Sequence, residues 1–157
     1  MKVILIFTLS IFFGFVQYND YKEVNLTDKT NREVWNTIKK INRHWAITEN
    51  MDSLALYLHN EMAIFYPDRK ERLVGKDSIL KSYRKYTQYA ETISMEETEP
   101  LVQLYNDNKT AIVTYYNDLK IKTQDGDIQS FRCKDMYTLI YENGRWYAVA
   151  QHYSFYE

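Results

Sequence analysis

The sequence predicts an α+β domain in which three helices pack on one curved antiparallel sheet. Three observations carry that prediction. Apolar residues recur with helical spacing up to about Tyr89. Period-two alternation then runs from Thr92 to the end of the chain. The glycines beyond the first twenty residues, Gly75, Gly126 and Gly144, all fall between such segments, where turns need them. At 157 residues the chain suits one domain with one core.

The chain opens on Lys2 and an uncharged, largely apolar run over 3–19. This is the pattern of a signal peptide, read here as residues 1–18 with cleavage between 14 and 19, and it implies a secreted or periplasmic protein. The alternative is an uncleaved membrane anchor, although the run falls short of the roughly 20 apolar residues a spanning helix needs. Residues 19–29 are polar and aperiodic and read as a linker, leaving 30–157 as the folded domain.

Val34, Ile38, Ile41 and Trp45 mark one face of a helix over 30–48. Asp52 is the expected N-cap of a second helix over 53–59, with Leu54 and Leu58 facing the first. A short strand over 62–66 stops at Pro67, a charged loop follows, and Leu73-Val74-Gly75 turns into a third helix over 77–89. Its inward residues are Ile79, Leu80 and Tyr83. Four strands follow, over 92–105 with an interruption at Pro100, then 110–123, 129–142 and 146–155. They are joined by turns at 106–108 and 124–126 and by a hairpin at Asn143-Gly144.

Parity sorts the strands into faces. Ala111, Val113, Tyr115, Asn117, Leu119 and Ile121 oppose charged even positions, so the odd set points inward. The same holds for Phe131, Cys133, Asp135, Tyr137, Leu139 and Tyr141. The last strand is mixed: Trp146, Ala148, Ala150, His152 and Ser154 form one face, and Tyr147, Val149, Gln151 and Tyr153 the other. An inward Asp135 is the most informative residue, because a buried carboxylate is costly unless paired or protonated. It is either half of a structural pair or a pocket acid with a raised pKa. A one-residue bulge would instead place it in solvent.

Composition excludes several classes. Lys plus Arg is 20 and Asp plus Glu is 21, for a net charge of −1, which argues against nucleic-acid binding through a basic surface. A single cysteine, Cys133, excludes a disulfide framework and a Cys-rich zinc site and reads as a buried strand residue. No phosphate-binding glycine loop and no nucleophile arrangement is visible. His59 and Glu61 have no third ligand in sight, so no metal and no cofactor are expected. His44 and His152 are either neighbours of one ligand, or a histidine on the solvent side of its helix and a satisfied structural histidine respectively. Asn25 and Asn108 head glycosylation sequons that matter only in a eukaryotic host.

Four segments in order carry a resemblance: Trp45-x6-Asp52, Ile64-Phe-Tyr-Pro67, Gly75-Lys-Asp-Ser-Ile79, and Asn143-Gly-Arg-Trp-Tyr-Ala-Val-Ala-Gln-His-Tyr-Ser154. Together they resemble the SnoaL-like branch of the nuclear transport factor 2-like superfamily, over about residues 30–157. The resemblance implies a cone, a strongly curved antiparallel sheet wrapped on helices around a pocket, and dimerisation through the sheet. Its members include isomerases, cyclases, dehydratases and non-catalytic binding or assembly domains, so fold alone does not give function.

Carried over residue by residue, the base of the steroid isomerases falls on Tyr66, and their oxyanion tyrosine on His44. Their protonated aspartate falls near Met136, within one residue either way, which takes in Asp135 and Tyr137. A phenol titrating near 10 is a poor base at neutral pH, so steroid isomerase activity is not expected. Parity and the family's strand positions place Tyr66, Tyr115, Asn117, Asp135 and Tyr137 in the pocket. The family's geometry adds Trp45 and His152. The leading expectation is a secreted, dimeric domain binding a small amphipathic or ring-bearing ligand without catalysis. The alternatives are a lyase, isomerase or cyclase using Asp135 and His152 as acid and base, and a dimeric protein-interaction module. Ile112, Tyr116, Met136 and Ile140 would supply the outer surface.

Overall fold

A computed structural model describes residues 26–67 and 69–156. The leader expected at 1–18 and most of the expected linker lie outside the described residues. The end of that linker belongs to the fold. Leu26 packs against the core, and the Asp28 carboxylate accepts from the amides of Thr30 at 2.7 Å and Asn31 at 3.2 Å. This caps helix α1, Lys29–Asn42. Val34, Ile38 and Ile41 are fully buried on its inner face.

The helix does not run straight on to residue 48. Arg43–Ile47 form a π-helical turn, closed by Thr48 N donating to Arg43 O at 2.9 Å. The second helix, α2, is Met51–Ala55, and its cap is Asn50 rather than Asp52. The Asn50 side chain accepts from Ser53 N at 2.9 Å, and Asp52 sits in the first turn. The helix is shorter than expected because Leu58 already pairs with the last strand.

Strand β1 is Leu58–Phe65, and Leu73–Val74 form a two-residue strand β2 beside it where a turn was expected. Helix α3 is Lys76–Tyr89, followed by β3 at Ala90–Tyr105, β4 at Thr110–Thr123, β5 at Ile128–Glu142 and β6 at Arg145–Phe155. The sheet order is β2-β1-β6-β5-β4-β3. All neighbours are antiparallel except β1 and β6, which run parallel and join the start of the sheet to its end. Pro100 has no amide to give the ladder. The β3–β4 register shifts between Thr98 and Leu101, and Glu99 adopts φ 52° there.

In β4 the residues Ala111, Val113, Tyr115, Asn117 and Ile121 are buried, and in β5 so are Cys133, Asp135, Tyr137 and Leu139. The odd parity read from the charged even positions is therefore the inner face of both strands, except that Tyr141, expected inward, is exposed at the hairpin end of β5. In β6, Leu139 pairs with Ala148 but Thr138 pairs with Ala150, so Val149 is an extra residue. This bulge reverses the alternation: Trp146 and Ala148 are buried before it and Gln151 after it. The Asn143-Gly144 hairpin has positive φ at both residues, 49° and 79°, as the twist of the flanking strands favours. Among the described residues no helix is long and apolar enough to cross a membrane.

Candidate functional site

A cavity of about 360 Å³ lies between α3 and the inner face of β4, β5 and β6. Helical spacing of three sends Tyr83, Tyr86 and Tyr89 of α3 to its wall. Trp45 reaches it from the π turn and stacks on Tyr83, with ring centroids 5.5 Å apart, while Tyr86 meets Trp45 edge-on at 5.7 Å. Tyr66, just past β1, packs edge-on against Tyr153 of β6 at 5.6 Å. The sheet contributes Leu119 and Phe131 and a buried polar end made of Asn117, Asp135 and Gln151.

Asp135 is 6% exposed. Its Oδ1 accepts from Gln151 Nε2 at 3.1 Å, and the Asn117 side chain hydrogen-bonds to it as well. Gln151 is held in turn by the Tyr83 hydroxyl, which donates to its Oε1 at 3.3 Å. No ion pair reaches Asp135 among the described residues. Burial therefore pushes the carboxyl up from 3.8 to about 6, the two amide donors pull against that, and the Glu97 charge adds to it. Asn117 Oδ1 is buried without a hydrogen-bond partner among the described residues. Burial also pushes the Cys133 thiol up to about 12, so this cavity cysteine is a weak nucleophile.

A second polar group supports the wall from behind. Asn42 Nδ2 donates to the Tyr115 hydroxyl at 2.9 Å and to Glu97 Oε1 at 3.1 Å, and its Oδ1 accepts from Trp45 Nε1 at 3.3 Å. Asn42 is 1% exposed, and its amide ties α1 to β3, to β4 and to the cavity tryptophan. The signal for it was its position four residues after Ile38, on the buried helical stripe.

Of the residues the sequence pointed to, Trp45, Tyr66, Asn117 and Asp135 line the cavity. Tyr115 and Tyr137 are inward but do not line it. They stack on each other in the core at 6.4 Å, with Trp35 edge-on to Tyr115 at 5.3 Å. His152 is a correction. It is exposed on the outer face beside Phe65, with Met136 as its neighbour on β5. The extra residue Val149 turns it away, so His152 and Asp135 stand on opposite sides of the sheet. His44 stacks on Tyr57 at 5.8 Å and contacts Thr48 Oγ1 at 3.3 Å, away from the cavity lining. His59 faces Glu142 at 3.8 Å, and no group of metal-ligating side chains forms among the described residues. The sequence reading did not assign Tyr86, Tyr89, Gln151, Tyr153, Arg69 and Lys85 to the cavity. The three-residue spacing of α3 pointed to the first two. The β6 residues were hidden by the bulge.

A curved, mostly antiparallel sheet folded over helices is the fold of the nuclear transport factor 2-like class of domain. Within it, the SnoaL-like domain family model matches residues 36–156, and the chain belongs to that family. Among solved structures, the chain is similar to a ketosteroid isomerase-like protein from Erwinia carotovora atroseptica at 12% identity and TM-score 0.71, covering 83% of this chain and 98% of that one. It is similar to an NTF2-like protein from Cytophaga hutchinsonii at 15% identity and TM-score 0.64, covering 78% and 95%. It is also similar to the CaMKII hub of S. rosetta at 16% identity and TM-score 0.67, covering 80% and 96%. At these identities the likeness speaks for the fold. No curated protein matches the chain in sequence.

Proposed function

We propose that this SnoaL-like domain is an exported, dimeric binding protein that holds a small ring-bearing ligand in the tyrosine-lined cavity without transforming it. The observation that carries the reading is the cavity's composition: aromatic walls around a buried polar end whose Asn117 Oδ1 has no partner among the described residues. Such a site favours a flat apolar body with a hydrogen-bond donor. Absence of turnover is supported by Tyr66, a phenol at the position where the isomerases of this superfamily carry their base, and by the outward turn of His152. Export rests on Lys2 and the uncharged run behind it, and N-terminal sequencing of envelope or medium protein should begin near residues 15–20.

The test uses 2-naphthol, a neutral two-ring donor. It should raise the melting temperature and change the fluorescence of Trp45, which lies in the wall. The chain with Trp45→Phe should keep the melting shift and lose most of the fluorescence response. No shift at millimolar 2-naphthol would overturn the reading.

A second reading is an enzyme with Asp135 as its single acid or base. It is favoured by the carboxyl held at about 6, close to working pH. Turnover of any cavity ligand that disappears in Asp135→Asn would establish it in place of the first.

A further inference from the structure

The cavity is charged in opposite senses at its two ends. Asp135 and Asn117, 6% and 4% exposed, close the buried end. Arg69 and Lys85 line the same cavity but are exposed, so they stand where it opens to solvent. Arg69 lies over the Tyr66 ring at 4.6 Å and donates from Nη2 to Ser82 Oγ at 3.3 Å. Ser82 and Lys85 are one helical turn apart on α3, so both basic side chains are gathered at one rim.

That rim continues into a neighbouring cleft, which shares Arg69, Ser82 and Lys85 and adds Lys81 and Arg84. Arg84 is engaged by Asp52 at 3.9 Å. Arg69, Lys81 and Lys85 make no ion pair among the described residues. Asp135 is the one acidic side chain on the cavity lining among those residues. Glu49, whose charge is felt at Tyr86, lies outside the lining.

A ligand that enters this space has its orientation set by charge. An anionic group driven inward would meet a carboxyl group and an unpartnered amide oxygen, both of which reject it. The same group left at the rim meets two cations, where charge-assisted hydrogen bonds are roughly twice as strong as neutral ones. The apolar rings between the two ends exclude a ligand that is polar throughout.

We propose that the cavity takes a hydroxyaryl carboxylate, its carboxylate held at the rim by Arg69 and Lys85 and its hydroxyl donating to Asn117 Oδ1 beside Asp135 at the buried end. This rests on the ligand-binding reading above and narrows it to one chemical class.

The probe is 6-hydroxy-2-naphthoate, compared with its methyl ester, with 2-naphthoate and with 6-(aminomethyl)-2-naphthol. Binding is read by fluorescence titration of the full chain and of the double variant Arg69→Ala/Lys85→Ala. Both replaced side chains are exposed, so a normal melt and unchanged ester binding show that the variant is folded. The acid should bind about tenfold more tightly than the ester, about one charge-assisted contact. The double variant should abolish that advantage while ester affinity stays within about twofold. Removing the hydroxyl, as in 2-naphthoate, should weaken binding in both proteins alike.

An acid no tighter than its ester overturns the proposal. So does an equal loss of acid and ester in the variant, or tighter binding of the amine than of the acid. If the ester binds and the acid does not, the cavity remains a binding site and only the anion class falls. If none of the four compounds shifts the melt or the fluorescence, the binding reading falls with it.

Discussion

A carboxyl group buried away from water with no cation beside it is more stable protonated than a carboxyl in water, and burial holds Asp135 in that condition against the pull of its two amide hydrogen bonds. Its folded pKa of about 6 lies above the ordinary 3.8, so the folded state binds the proton more tightly than the unfolded state does. The resulting stability is fully present below about 3.8 and is lost as the pH rises through about 6. At pH 7.5 the ionised group then costs on the order of 3 kcal/mol, at about 1.4 kcal/mol per pKa unit. Asp135→Asn keeps an oxygen for Gln151 to donate to and removes the charge. Urea titrations should show the variant more stable by about 1–3 kcal/mol at pH 7.5 and nearly equal to the parent at pH 4. A loss of about 3–5 kcal/mol at pH 7.5 would instead reveal a buried cation left alone. At the same scale, Asn42→Ala strands the Trp45 indole N–H and the Tyr115 hydroxyl. Each stranded group costs about 1–3 kcal/mol, which a thermal melt of the variant reads directly.

Strands β4 and β5 were readable almost residue by residue, because charged side chains on the even positions leave no doubt about which parity is wet. Asn117 and Asp135 could therefore be turned inward from sequence alone. Strand β6 could not be read that way. Its residues are small or amphipathic on both parities, so nothing in the pattern marks Val149 as the inserted one, and His152 was carried to the wrong face. The π turn was invisible for a related reason: a five-residue repeat inside a helical stripe leaves apolar residues on nearly the same face. Tyr115 and Tyr137 were turned the right way, but parity fixes direction and not depth. The bulge makes its own prediction. Deleting Val149 should restore strict alternation with every β5–β6 pair kept, so Gln151 and Tyr153 stay in the cavity and Asp135 keeps its amide donor. A melt of the deletion variant should stay cooperative, loss of the transition showing that the bulge itself is needed, and Val149→Ala should cost less than about 1.5 kcal/mol, because the side chain is not part of the buried core.

The whole molecule presents an outer sheet face with Phe65 at 50% and Met136 at 43% exposure, flanked by His152 and by the half-buried Ile112 and Ile140. Tyr116, expected on that surface, is covered in part by Tyr156 at 5.6 Å. The proposed dimer would bury this band. Sedimentation of residues 19–157 should give twice the monomer mass, and Phe65→Glu/Met136→Glu should give monomers that still bind the cavity ligand. A monomeric parent at micromolar concentration would show that the band is left to solvent.

The parallel pairing of β1 with β6 also governs when the molecule can come into being. Ala63, Ile64 and Phe65 reach their register partners only once Ala150, Gln151 and His152 exist, with nearly all the intervening chain between them. Contacts of such long sequence separation are slow to form, because the loop must be closed before they repay it. A nascent chain emerging from the ribosome therefore keeps β1 without its final neighbour until β6 has been made. During that interval Met62 and Ile64, fully buried at the end, are open to a chaperone or a translocase. A late-closing sheet keeps the polypeptide threadable for longer, which suits a chain whose first residues read as an export signal.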